Sequence, residues 1–240
     1  MASRDVPIGP GSTGQPVSRH ASEAIMLILV PTAVERTVLA DALGGSLGPA
    51  DRFELIGFGP IAAAARAAQL LAERRPTGVL LLGIAGSLSD ACRVGRAYQF
   101  RQVACHGVGV GSGVDFIPAG RLGWPQWPGD NSGGSGAIGE EISLSGGPAA
   151  GQPAGQLLSA CAASATADEA AVRRQLFPAA VAEDMEGFAV ALACQLAAVP
   201  CRIIRGISNQ AGDRDPARWQ IEPALRAVAD LARDTLEETD

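Results

Sequence analysis

The 240-residue chain contains no lysine: all nineteen of its basic residues are arginine. That absence excludes a Schiff-base lysine mechanism and a lysine-dependent phosphate loop. Histidine is scarce too, present only as His20 and His106. With no G-x-S-x-G sequence either, a Ser-His-Asp hydrolase has little to stand on, and His106 reads better as a strand-end or loop residue than as a catalyst. No apolar run approaches the roughly 18 residues a bilayer crossing needs, so a soluble, cytoplasmic protein with no membrane partner is expected. Basic charge is in deficit, with 19 Lys and Arg against 25 Asp and Glu for a net charge of -6. That balance argues against a nucleic-acid partner and favours a small soluble metabolite. Cys92, Cys105, Cys161, Cys194 and Cys201 show no C-x-x-C spacing and lie mostly in apolar surroundings. Reduced thiols are therefore expected rather than disulfides or a zinc site, and neither a metal nor a cofactor is called for.

What the chain does have is apolar mass, 47% of its residues, enough for one sizeable core. Residues 1–23 are rich in Gly, Pro and Ser and lack the basic start and apolar centre of a secretory signal, so they read as a disordered tail before a single domain over 24–240. From there strands and helices alternate as in α/β proteins. Strands are expected at Ile25 to Val30, Phe53 to Phe58, Gly78 to Leu82, Ala97 to Cys105, Gln156 to Ala163 and Cys201 to Ile207. Helices are expected at Val34 to Leu43, Ile61 to Glu73, Asp168 to Leu176, Glu186 to Ala197 and the C-terminus. The run Gly83-Ile84-Ala85-Gly86 reads as a small-residue turn that lets the backbone approach a ligand. Residues 107–155 hold much of the Gly and Pro, with Trp124 and Trp127 among them. So long a stretch is expected to be part lid, part insertion and part disordered.

Chemistry concentrates in two places. Ala182-Glu183-Asp184-Met185-Glu186-Gly187-Phe188-Ala189 reads as an acid-rich helix start, and Ile204-Arg205-Gly206-Ile207-Ser208-Asn209 as a strand ending in an amide. A ribose needs a carboxylate that accepts from two neighbouring hydroxyls, and a purine leaving group needs a hydrogen-bond donor beside its five-membered ring. Glu186 and Asn209 have the types for those roles. Each also has a plainer reading: Glu186 as a helix N-terminal acid favoured by the macrodipole, Asn209 as an Asx turn closing a strand. Gly57-Phe58-Gly59-Pro60-Ile61-Ala62 fits the G-x-G-x-x-A of a dinucleotide site. Yet the acid that should close the next strand is missing from Val79-Leu80-Leu81-Leu82-Gly83.

Taken in order and spacing, these motifs resemble the nucleoside phosphorylase and nucleosidase superfamily, and within it the bacterial futalosine hydrolases. The resemblance runs from about Ile25 to Leu236. It rests on Pro31-Thr32-Ala33, Gly83-Ile84-Ala85-Gly86, Glu183-Asp184-Met185-Glu186-Gly187, Ser208-Asn209 and Gly212-Asp213-Arg214-Asp215, with Asp115-Phe116 leading to Leu122-Gly123-Trp124-Pro125. It implies a three-layer αβα domain with a central mixed sheet, a homodimer or larger homo-oligomer, and cofactor-free hydrolysis of futalosine to hypoxanthine and dehypoxanthinylfutalosine in an alternative menaquinone route.

Residue by residue, the resemblance implies that Glu186 accepts from the ribose hydroxyls with Met185 on the sugar's face, beside Ala85, Gly86 and Ser208. Asn209 stands where adenine-specific relatives carry Asp; its NH₂ can donate to N7 and O6 of a 6-oxopurine without any pKa shift. Asp213 is a second acid near the base, and Asp215 before Pro216 reads as a helix N-cap. Glu35 is either the base that orients the attacking water or a surface glutamate of the first helix. Where related phosphorylases place Arg and Ser on phosphate, this chain has Leu81 and Ile84, so water is the expected nucleophile. Where nucleosidases stack an aromatic on the base, it has Ala163 beside Ser164, which leaves Phe116 or Phe188 to serve. The pocket for the 5′ group has only Phe116 and the Leu122 to Trp127 loop as candidates.

Overall fold

The computed structural model describes residues 26–44, 52–129, 136–146 and 155–237. The expected tail and the parts of the Gly-rich segment at 130–135 and 147–154 lie outside the described residues. In chain order the elements are β1 (Met26–Val30), α1 (Ala33–Leu43), β2 (Arg52–Leu55), α2 (Pro60–Arg74), β3 (Gly78–Ser87), β4 (Ala97–Gln99), β5 (Gln102–His106), β6 (Gly109–Val110), β7 (Ile117–Pro118), β8 (Glu141–Ser143), β9 (Gln156–Ala160), α3 (Ala167–Leu176), β10 (Ala180–Asp184), α4 (Gly187–Leu196), β11 (Cys201–Gln210) and α5 (Ile221–Glu237).

Nine strands form one sheet in the order β2-β1-β3-β10-β9-β5-β8, with β11 pairing β3 and β4 pairing β11. It is mixed: β1, β2, β3 and β11 run parallel, whereas β10 meets β3 antiparallel and β9 parallel. Strand side chains alternate between the two faces, and the apolar runs serve both. Leu27, Leu29, Val79 and Leu81 pack with Ala63, Ala67 and Leu70 of α2 and Val190 and Cys194 of α4. Ile28, Val30, Leu80 and Leu82 pack with Leu39 and Leu43 of α1 and Leu225, Val228 and Ala232 of α5. Helices thus cover both faces, giving the three layers the sequence implied. No described helix is long and apolar enough to cross a membrane.

Three local expectations are corrected. Gly83–Gly86 is not a turn, because β11 pairs alongside β3 from Val79 to Ser87 and draws the whole run into strand. A strand, β10, precedes α4, so Glu183 and Asp184 end a strand rather than begin a helix. Two acids in a short Ala-rich run give no apolar alternation; what makes that strand possible is the arginines that meet its carboxylates. Finally, β9 stops at Ala160, and 161–165 leaves the sheet as a loop.

One topological feature positions the site. β3 pairs β1 only as far as Leu81, then takes β10 as its neighbour on that side from Gly86. Between these points the sheet parts. The ends of β1 and β10 splay around Ile84 and Ala85, the sort of switch in strand order where α/β sheets open a crevice.

Candidate active site

A cavity of about 750 Å³ fills that opening, and its wall includes Thr32, Glu35, Phe58, Ile84, Ala85, Gly86, Ala163, Met185, Glu186, Ser208, Asn209, Arg214 and Trp219. The site is built around the three acids of Glu183-Asp184-Met185-Glu186. Glu183 and Asp184 are successive in β10 and point to opposite faces, and Glu186 follows the strand at the start of α4, so the acids diverge into three jobs. Glu183 accepts from the backbone N–H of Ser164 (2.8 Å), the Ser164 hydroxyl (2.7 Å) and Arg173 Nη1 (2.6 Å). It thereby pins the 161–165 loop that carries Ala163. Asp184 caps α4 by accepting from Gly187 N at 2.8 Å, and Ser159, which donates to Asp184, accepts from Phe188 N at 2.8 Å. With the helix start satisfied by these two, Glu186 does no capping of its own helix. That removes the plain helix-acid reading: its Oε1 instead accepts from Gly59 N at 2.9 Å, across the cavity wall at the start of α2.

The glycines that resembled a dinucleotide motif serve this contact. Gly57 and Gly59 have φ of +87° and +84°, a left-handed backbone that favours glycine. The resulting bend aims the Gly59 amide at Glu186 and leaves Phe58, 69% exposed, at the cavity wall.

Arg205 organises the carboxylates from behind. It is fully buried, donates through Nε (3.0 Å) and Nη2 (2.6 Å) to Asp184, reaches Glu186 at 3.3 Å, and gives Nη1 to the Leu82 carbonyl at 3.3 Å. Burial works against its charge, but Asp184, Glu186 and Glu35 outweigh that and hold its proton more tightly than water would. The Glu186 carboxyl is pushed up to about 7, chiefly by burial, with Asp184 and Glu35 adding to the rise and Arg205 and the Gly59 N–H opposing it. Glycine at 83 is a steric requirement of this cluster: a Cβ there would lie 2.2 Å from Arg205 Nη1 and 2.8 Å from Glu35 Oε1.

Glu35 is buried, which rules out the surface-glutamate reading. It forms a capping box with Thr32, accepting from the Thr32 N–H (3.1 Å) and hydroxyl, while its other oxygen accepts from Ile84 N at 3.0 Å. One carboxylate thus ties the start of α1 to the part of β3 that forms the cavity floor. On the facing edge Ser208 donates to Asn209 Oδ1 (2.8 Å), and Asn209 Nδ2 donates to the carbonyls of Gln210 (2.8 Å) and Asp213 (3.3 Å).

Of the residues singled out from sequence, the fold brings Glu35, Ala85, Gly86, Ala163, Met185, Glu186, Ser208 and Asn209 to the cavity wall. Four others do not line it. Ser164 lies behind the wall on Glu183. Phe188 packs into the core under α4. Phe116 is buried edge-on against His106, ring centres 4.7 Å apart, and Phe177 also meets the imidazole edge-on at 5.8 Å. Asp213 accepts from Asp215 N (3.0 Å) and Arg218 Nη2 (2.7 Å). The Leu122 to Trp127 loop also lies outside the lining, which instead takes its aromatics from Phe58 and Trp219. Asp215 caps the short turn at Pro216–Arg218 through Ala217 N, as its sequence implied.

Sequence reasoning missed Arg205, Phe58 and Trp219. The signals were there: an arginine inside the apolar strand run Cys201 to Ile207 demands buried acids, and an aromatic between two glycines has no helix or strand to bury it. Cys161, exposed at the cavity, also departs from the apolar setting expected of the cysteines. Among the described residues no three His, Cys, Asp or Glu side chains are grouped to hold a metal ion.

The fold and this cleft define a class, and comparison with known proteins names it. The Phosphorylase superfamily matches residues 53–238. The chain is 31% identical over 185 residues to a futalosine hydrolase of Streptomyces coelicolor, covering 72% of this chain and 73% of that protein. It is 30% identical over 227 residues to a futalosine hydrolase of Thermus thermophilus, covering 88% and 95%. Among solved structures, the futalosine hydrolase of Helicobacter pylori superposes with a TM-score of 0.71 at 18% identity, over 90% of this chain and 98% of that one. The 5'-methylthioadenosine/S-adenosylhomocysteine nucleosidase of the same organism, holding butyl-thio-DADMe-Immucillin-A, gives a TM-score of 0.71 at 17% identity, over 90% and 100%. At such identities these two structures speak for the fold. The chain belongs to the futalosine hydrolases of the phosphorylase superfamily.

Proposed function

We propose that the cavity hydrolyses the N-glycosidic bond of futalosine, releasing hypoxanthine and dehypoxanthinylfutalosine on a route to menaquinone. The observation that carries the reading is Glu186: a buried carboxylate excused from capping its own helix and turned into a cavity whose far edge ends in Ser208 and Asn209. N-glycoside cleavage passes through a sugar with oxocarbenium character, so the site must grip the ribose, receive the departing base and deliver water to the anomeric carbon. Glu186 accepts from the 2′ and 3′ hydroxyls, and Met185 covers the sugar's face. Glu35 orients the water. Asn209 turns one N–H from the Asp213 carbonyl, the longer of its two bonds, to the purine, with Asp213 holding the turn behind it.

Water rather than phosphate suits the electrostatics. Glu35 and Glu186 line the cavity, and the buried arginines are already engaged, Arg173 with Glu183 and Arg205 with Asp184, Glu186 and the Leu82 carbonyl. A dianion entering there meets repulsion, with no buried cation among the described residues free to offset it. Base release from futalosine, aminodeoxyfutalosine and inosine, each with and without phosphate, tests the reading. Hypoxanthine from futalosine, unaffected by phosphate, is expected. Strict phosphate dependence would replace hydrolysis by phosphorolysis.

Two further outcomes follow from the geometry. Asn209→Asp should move the ratio of kcat/KM for futalosine over aminodeoxyfutalosine at least tenfold toward the 6-amino base, because a carboxylate repels O6. An unchanged ratio would end this account of base choice. The pH profile follows from Glu186. The native state keeps this proton up to about 7, whereas an ordinary glutamate releases it near 4.5. Native protein therefore binds the extra proton between those values, and stability falls as pH rises through that window. Activity has the opposite slope, because only the ionised form accepts from both ribose hydroxyls. kcat/KM is expected to climb with pH and level off above an apparent pKa near 7; a flat profile from pH 5 to 8 would contradict the assignment.

The homo-oligomer implied by the family is part of the same reading. Val34 and Phe58 at the cavity, with Ile61 close by in sequence, are exposed apolar side chains of the kind an assembly covers.

A further inference from the structure

We propose that Arg214, held against Trp219, is a specificity-determining residue that binds a carboxylate on the 5′ arm of the nucleoside. The inference rests on the functional reading above for the nature of the ligand, and on separate observations for the residue. Arg214 is the one cationic residue among the described residues that line the cavity, a lining that also includes Glu35 and Glu186.

Its guanidinium is positioned yet unspent. It lies 4.9 Å from the centre of the Trp219 ring, a stacking distance for a cation on an indole. Trp219 is itself anchored, its Nε1 donating to the Asp213 carbonyl at 3.0 Å. The turn beneath is fixed by Gly212, whose φ is +87° and where a Cβ would fall 2.4 Å from the Thr166 backbone. Arg214 is flanked by two acids, but both pair with a different arginine: Arg218 reaches Asp213 at 2.7 Å and Asp215 at 3.4 Å. Arg218 thus neutralises the neighbours that would otherwise engage Arg214, and the planar fork of donors on Arg214 is left for a ligand.

The chemistry of that ligand follows by elimination. A 6-oxopurine and a ribose are both uncharged, so neither calls for a cation. An anion in a cavity lined by Glu35 and Glu186 is unfavourable unless a cation meets it. The remaining part of the molecule is the 5′ substituent, and a carboxylate is the group a guanidinium fork matches in two parallel hydrogen bonds. The faces of Trp219 and Phe58 suit an aromatic ring carrying that carboxylate.

The test compares futalosine, whose 5′ arm ends in a benzoate, with its methyl ester. The acid-over-ester ratio of kcat/KM in the parent enzyme should fall about tenfold in Arg214→Gln, mostly through KM, and recover in part in Arg214→Lys. Arg214 is exposed, so the variant should fold. An unchanged ratio overturns the proposal, as does an activity that depends on added phosphate and loses that dependence in Arg214→Gln, which would make the bound anion a cosubstrate. Calorimetric titration of acid and ester keeps this apart from the functional reading. If the parent enzyme turns over neither compound, the functional reading fails. Acid binding weakened about tenfold in Arg214→Gln would still support the role of Arg214. Equal binding by parent and variant, or binding by neither, would overturn it.

Discussion

Replacing Glu186 by glutamine is expected to lower kcat/KM for futalosine by about a thousandfold while leaving the melting temperature at or above that of the parent. The two halves have one cause. In the role proposed for it, Glu186 as a carboxylate accepts from two ribose hydroxyls, and each charge-assisted bond contributes about 2 kcal/mol. Losing both costs about 4 kcal/mol of transition-state binding, hence the factor of about a thousand. As a buried charge, the same group is a burden in the free protein, which is why its carboxyl is pushed up to about 7. The amide keeps the shape, can still accept from Gly59 N through its oxygen, and removes that burden, while Arg205 retains Asp184. Steady-state kinetics and a thermal scan on one preparation check both halves. Retention of most activity would remove Glu186 from the sugar site. A large fall in melting temperature would make its role structural.

Replacing Arg205 by methionine is expected to destabilise the protein by about 3–5 kcal/mol, the range for stripping one partner from a buried ion pair. Arg205 is 0% exposed and Asp184 is 6% exposed, so no water replaces the lost donors. Asp184 would keep Ser159 and Gly187 as donors but lose both of its bonds from the guanidinium, and Glu186 would keep only Gly59. The activity profile should move as well: without the cation the Glu186 proton is held to higher pH, so the acid limb shifts upward from about 7. The cause can be isolated with a double variant. Adding Glu186→Gln to Arg205→Met neutralises one stranded carboxylate and should restore about 1–2 kcal/mol, read by denaturant unfolding of the four proteins of the cycle. Strictly additive effects would mean that Arg205 does not act through Glu186.

These variants show why the site was only partly legible beforehand. The placement of Glu186 and Asn209 at the cavity was readable because their motifs carry a carboxylate and an amide at the ends of regular elements. Asp184 was not, because its work depends on Arg205, which lies 21 residues on and meets it only when β11 and β10 flank β3. Likewise the aromatics of the cavity could not be chosen from composition. Phe188 lies two residues after Glu186 in sequence but packs into the core, whereas Trp219 arrives from the turn before α5.

By itself the sequence determined the class of fold and the two ends of the site. Its apolar runs of strand length alternate with Ala- and Leu-rich helical runs, and that periodicity is local and survives without any knowledge of contacts. Only the tertiary structure decided what each of Glu183, Asp184 and Glu186 does, that Gly83–Gly86 is strand, and that Glu35 is buried. The physical reason is that a carboxylate's role is set by which donors reach it. Those donors, Arg173, Arg205, Gly59 and Ile84, come from separate segments brought together only where β3 exchanges β1 for β10.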